Sequence, residues 1–117
     1  MNIEEVRNYC LSKKGVEETL PFSPSVLVFK VVNKMFALTD LDSFKYINLK
    51  CAPEKAIDYR ETFQGIKPGF HMNKKHWNSV YVGSDVPEKF IYELIDHSYS
   101  LVVQSLTKKA REELQNR

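Results

Sequence analysis

Glycine is scarce in this chain: four in 117 residues, each isolated, so there is no glycine-rich loop of the kind that cradles phosphates. Cysteine occurs twice, at Cys10 and Cys51, far apart and without metal-type spacing. That excludes a disulfide framework and reads as two reduced thiols, buried as small hydrophobes in a cytoplasmic protein. No apolar run approaches eighteen residues, so no helix is expected to span a membrane. The first residues, Met1-Asn2-Ile3-Glu4-Glu5, are acidic and lack an apolar core, which is not the pattern of a signal peptide. No internal repeat, linker or low-complexity stretch is present, and no complete catalytic set appears anywhere. The expectation is a protein without enzymatic activity, without a bound cofactor and without a metal centre.

What is present fits one small globular domain over residues 1–117: hydrophobic content is 43% and charged content 27%, too apolar for disorder. The net charge is only +2, but its distribution is uneven. Residues 1–66 hold nine basic and nine acidic side chains, and residues 77–117 hold five and six. Between them, residues 67–76 hold Lys67, Lys74 and Lys75 and no acid, so the whole positive surplus lies there. A local basic patch attracts phosphate even when the overall charge is small.

The pattern of apolar residues predicts a single alternation of elements. Asn2 can cap a helix, with Glu5 three residues on, and Ile3, Val6 and Cys10 then share a face that runs towards a stop at Gly15. Pro21-Phe22-Ser23-Pro24 cannot be helical and leads into a sheet. Val26 to Val31 and Met35 to Thr39 read as strands. Asn33 suits positive φ in the turn between them, while Val32 is a poor partner for a two-residue turn, which suggests a longer loop. Phe44 to Leu49 reads as a third strand. Pro53 opens a second helix that ends at Gly65 and lacks a capping side chain at Ala52. Phe70 to Met72 and Trp77 to Val82 read as short strands. Pro87 opens a long helix whose stripe runs through Phe90, Ile91, Leu94, Ile95, Ser98, Leu101, Val102 and Leu106, and Thr107 can cap a final polar helix. The fold class is therefore α+β: a two-layer sandwich, α-β(3)-α-β(2)-α, whose antiparallel sheet carries its helices mainly on one face and leaves the other partly open.

The segment Pro68–Asn78 gathers two His, two Asn, two Lys and the only Trp without a carboxylate. So many polar groups cannot all be buried, since each would need a partner or cost a few kcal/mol (about 1–3 on mutational scales). Much of the segment should face something. As metal ligands, His71 and His76 lack a third partner nearby. As nuclease residues they have the wrong spacing and no carboxylate. A Cys51–His71 nucleophilic pair lacks an orienting acid. The plainer structural reading has one histidine fixing the hairpin and Trp77 packing on the core.

The runs Thr19-Leu20-Pro21-Phe22, Val28-Phe29-Lys30-Val31, Lys34-Met35-Phe36-Ala37-Leu38, Asn48-Leu49-Lys50-Cys51 and Pro53-Glu54 resemble the MmcQ/YjbR-like family. So do Pro68-Gly69-Phe70-His71-Met72-Asn73-Lys74, His76-Trp77-Asn78 and Asp96-His97-Ser98-Tyr99 with Leu101-Val102. The likeness covers nearly the whole chain, and the histidine–tryptophan segment is its most specific part. Ser23 replaces a usual glycine and Thr107 a frequent proline, both matters of turn geometry. The resemblance implies a type III secretion chaperone-like fold and a double-wing DNA-binding role, the latter a fold-level inference.

On that basis two hairpin loops, Asn33-Lys34 and Asn73-Lys74-Lys75-His76, are the expected wings. Lys30, Lys34, Lys50, Lys67, Lys74 and Lys75 are the candidate phosphate contacts. Asn73, His76 and Asn78 are candidates for base edges, Trp77 or Phe70 for stacking or wedging, and His71 belongs to the same set. The expected partner is DNA, bound weakly by a monomer, and no membrane. The alternative is a small-ligand or protein-partner module, chaperone-like, in which some of Phe22, Phe29, Phe36, Phe44 and Phe70 line a groove anchored by Lys50, Arg60 and His71.

Overall fold

Asn2 starts the first helix as expected, its Oδ1 accepting the Glu5 N–H at 2.9 Å. This helix, α1 (Ile3–Leu11), buries Val6 and Cys10 on one side. The structure is a computed structural model that describes residues 1–117. Six strands follow: β1 (Val16–Thr19), β2 (Val26–Val31), β3 (Lys34–Asp40), β4 (Tyr46–Lys50), β5 (Ile66–Pro68) and β6 (Trp77–Tyr81). They form one antiparallel sheet in the order β1-β2-β3-β4-β6-β5. Helix α2 (Pro53–Thr62) joins β4 to β5, and α3 (Glu88–Ser105) and α4 (Lys108–Gln115) close the chain.

The α+β class and the one-sided helical layer are as the sequence predicts. Phe29, Val31, Phe36, Ile47, Leu49 and Val80 point from the sheet into the main core, where Val6, Ile91, Ile95 and Val102 of α1 and α3 meet them. Thr107 caps α4 by accepting the Ala110 N–H at 3.1 Å. Ala52 provides no side-chain cap for α2. Both cysteines are free and buried.

Four local expectations are corrected. A strand precedes the three expected before α2: Val16–Thr19 pairs antiparallel with Val28–Val31 at the sheet edge, and Glu18 takes both Arg7 Nε and a terminal nitrogen at 2.6 Å, which ties the edge to α1. The strand beside β6 is Ile66–Pro68, not Phe70 to Met72, which forms a turn with His71 at φ 61°. β4 begins at Tyr46 rather than Phe44, because Phe44 adopts φ 42° and cannot extend the ladder. The β2–β3 loop has only two residues, Val32 and Asn33, with φ of 47° and 64°. Valine tolerates this left-handed position because its side chain is held against the core.

A bulge in β3 changes which residues share a face. Phe29 pairs with Ala37 and Lys30 with Met35, so Phe36 has no partner across the ladder. Phe36 and Ala37 consequently both face the core, and Met35 and Leu38 both face away from it. Where the β3–β4 ladder ends beside the bulge, Ser98 of α3 bridges the two strands: its hydroxyl donates to the Phe36 carbonyl at 2.5 Å and accepts the Lys50 N–H at 2.9 Å.

Candidate binding face

The face of the sheet opposite the helices follows from register. Its central row reads Thr19, Val28, Leu38, Asn48, Ser79 and Lys67 from one edge to the other. One step along the strands lie Glu17, Lys30, Met35, Lys50 and Trp77. One step the other way lie Val26 and Asp40, then Tyr46 beside Tyr81. Part of this face is covered by the loop 69–76. Met72 packs on Val28, Leu38 and Trp77, a small apolar cluster separate from the main core.

Hydrogen bonds fix that loop at several points. Asn48 Nδ2 donates to the Phe70 carbonyl at 3.1 Å, and Ser79 Oγ accepts the Phe70 N–H at 2.9 Å while donating to Asn48 Oδ1 at 2.5 Å. Arg60 of α2 donates through Nε to Asn78 Oδ1 at 2.6 Å and through its terminal nitrogen to the carbonyls of Lys74 and Trp77. Asn73 Oδ1 accepts the N–H groups of Lys75 and His76 at 3.0 and 3.2 Å.

Between this loop and the β1–β2 connection lies a groove of about 480 Å³. Its floor is Val26, Met35, Leu38 and Asn48, and its walls are Phe22, Phe70, His71 and Met72. Phe22 and Phe70 are 64% and 53% exposed, unusual for phenylalanine and a reason to read the groove as a site rather than as core. Phe70 meets Tyr46 edge-on, with ring centroids 6.0 Å apart, and the His71 ring lies 4.0 Å from it at a tilt of 49°. Burial, with Tyr81 and Asp40 adding to it, keeps the Tyr46 phenol above its ordinary pKa. The groove's one carboxylate, Asp40, accepts the Asp42 N–H at 2.8 Å through Oδ1.

The structure brings some of the predicted residues together and not others. By register Lys30, Lys50 and Lys67 share the face. Lys74 and Lys75 lie in the loop, with Lys74 Nζ donating to the Gly69 carbonyl at 3.1 Å. Lys34 pairs with Val31 and so begins on the helix side of the sheet, away from the others. None of these six lysines is within 4.0 Å of a carboxylate; the three ion pairs of the chain are Met1–Glu88, Arg7–Glu18 and Lys13–Asp96. Trp77 is corrected from a stacking residue to a packing one: it is only 8% exposed, beneath Met72. Asn78 likewise reaches no base, being 3% exposed and engaged by Arg60 and by the Ala56 carbonyl. His76 is half-buried, and its carbonyl accepts the Cys51 N–H at 2.9 Å. Of the five phenylalanines proposed for a groove, Phe22 and Phe70 line one, Phe29 and Phe36 are fully buried, and Phe44 packs on the core.

Met35, Leu38 and Met72 are groove residues that the sequence did not single out, because the bulge hides the first two behind a broken alternation. The cysteines sit elsewhere, with burial pushing the Cys10 thiol up to about 12 and the Cys51 thiol up to about 11. Tyr9 donates to Asp96 at 2.6 Å, which with burial raises the phenol to about 12 and ties α1 to α3.

Comparison with known proteins agrees with this architecture. The profile of the YjbR family matches residues 11–101. The chain is similar to the uncharacterised protein YbdF of Escherichia coli O157:H7, with 41% identity over 91% of this chain and 88% of that protein. It is 32% identical to the uncharacterised protein YjbR of Escherichia coli K12, over 95% of each. The crystal structure of Deinococcus radiodurans protein DR2400 superposes with a TM-score of 0.90 at 38% identity, covering 97% of this chain and 88% of that one.

Proposed function

This chain belongs to the YjbR family, and on that premise we propose that it is a non-enzymatic cytoplasmic protein whose open sheet face binds nucleic-acid phosphates, DNA foremost. One observation carries the reading. Lys30, Lys50 and Lys67 lie on one face, with Lys74 and Lys75 in the loop beside it, and none of the five is in an ion pair within 4.0 Å, although Asp85 is near enough to Lys67 to feel its charge. Glu17 and Asp40 dilute the field of that face without pairing with a lysine. β2 and β4 are two strand spacings apart, so Lys30 and Lys50 stand roughly 10 Å from one another, each free to meet its own phosphate. Contacts of this kind give weak binding by a monomer, dependent on salt and indifferent to sequence.

The test is affinity for a DNA duplex across a salt series. If about four phosphates are neutralised, binding weakens about a hundredfold between 50 and 200 mM salt. An affinity unchanged by salt, or no binding at low salt, refutes the reading. The groove beside His71 supports a second reading, a site for a small ligand or partner segment. Binding there would follow apolar contact and respond little to salt.

A further inference from the structure

The groove and the lysines adjoin on one face, and from that juxtaposition we infer that the groove is a subsite for an unpaired nucleobase, so that the preferred substrate is single-stranded nucleic acid. The inference rests on the phosphate-binding reading above and names the form of polymer that reading leaves open.

A base within a helix presents only its edge, whereas this surface presents aromatic faces and a cleft. Phe70 is 53% exposed although its neighbours in the loop are tightly bonded, and Phe22 is 64% exposed on the facing wall. Here Asn48 and Ser79 hold the Phe70 backbone, and the ring stands at the rim of the groove against Tyr46 and His71. Rigid aromatic platforms of this kind are what unstacked bases use, because every base has a π-face.

The groove's size and polarity agree. Its volume of about 480 Å³ lies within the range of roughly 300–1,000 Å³ typical of small-molecule sites. Its lining is apolar except for Asp40, Thr39, Asn48, Tyr46 and His71. Thr39 and Asn48 are buried and already bonded, Thr39 to the Tyr46 carbonyl and Asn48 to Phe70 and Ser79, which leaves Asp40, Tyr46 and His71 to meet the donors and acceptors on the edge of a base. Asp40 excludes a phosphate from the groove itself. The phosphates belong instead one row away, where Lys30 and Lys50 flank Met35 of the groove floor. Apolar centre and cationic border together fit a polymer that alternates aromatic and anionic groups.

The experiment compares three labelled probes by fluorescence anisotropy at one salt concentration: an oligothymidylate strand, an abasic strand with the same number of phosphates, and a duplex. The wild-type protein is expected to bind the thymidylate strand at least about tenfold more tightly than the abasic strand, the scale of one base–aromatic stack. Phe70→Ala is expected to remove that preference and leave abasic affinity unchanged. Because Phe70 is half in solvent, the variant should fold, and circular dichroism checks this; the wild-type preference decides the matter even if it does not. Equal affinity for all three probes overturns the inference and leaves the phosphate reading standing. No binding to any probe overturns both. Free thymidine binding as tightly as the strand, independent of salt, overturns the inference in favour of a small-molecule site.

Discussion

Replacing Ser98 with alanine removes one oxygen atom and orphans two backbone groups. The Phe36 carbonyl loses its 2.5 Å donor, and the Lys50 N–H loses its 2.9 Å acceptor, both just beyond the last pair of the β3–β4 ladder. Ser98 is fully buried, so water cannot replace the hydroxyl. An unsatisfied buried group costs about 1–3 kcal/mol, and the two together about 3 kcal/mol. Alanine's better helix propensity returns only about 0.5 kcal/mol. The net loss of about 2.5 kcal/mol is a large part of a stability of about 5–15 kcal/mol. For a chain of this size it corresponds to a fall in Tm of roughly 10 °C. Urea and thermal unfolding followed by circular dichroism measure it, with Ser105→Ala at the end of the same helix as a control expected to move stability by less than about 0.5 kcal/mol. If Ser98→Ala costs no more than the control, the Phe36 carbonyl and the Lys50 N–H are satisfied in some other way, and Ser98 does not bridge β3 to β4.

Further outcomes are expected from the titrating groups. His97 Nε2 accepts the Ala52 N–H at 3.3 Å, satisfying the backbone donor of the cap residue of α2, whose own side chain makes no capping bond. Burial, and then Lys55, lower its pKa, so the unfolded chain binds the proton more readily than the folded one. Its contribution to stability is complete above about pH 6.5 and is lost as pH falls through the lower folded value. Urea midpoints from pH 8 to pH 5 should therefore decline less steeply in His97→Gln; an identical decline contradicts the assignment. With both thiols buried and raised to about 12 and about 11, neither should react with a disulfide reagent at pH 8 until denaturant is added. Rapid reaction of the native protein would show that α1 or the β4–α2 junction opens readily.

Much of the fold is written in local sequence because its signals are local. Asn2 and Thr107 announce helix starts by the hydrogen bonds their side chains make, and the stripe through Ile91, Leu94, Ile95, Ser98 and Val102 marks the buried side of α3. Features decided by distant partners are not written there. Val16–Thr19 is a strand because β2 lies beside it, and Ile66–Pro68 is one because β6 does. The period of two fails in β3 because the bulge turns Phe36 and Ala37 the same way. The site is legible to the same extent. The lack of acid around Lys74 and Lys75 is visible in the sequence, as are the aromatic residues of the segment. That Trp77 and Asn78 are interior while Phe70 and His71 face the groove depends on a loop folding back over the sheet, held by Arg60, Asn48 and Ser79. No spacing rule encodes that.

The central claim concerns one surface, and an NMR titration of ¹⁵N-labelled protein with a short DNA strand at low salt tests it most directly. Amide shifts should concentrate at Lys30, Lys50, Lys67 and residues 70–75 and fade as salt is added. Shifts confined to α1, α3 and α4, or an unchanged spectrum, would contradict it.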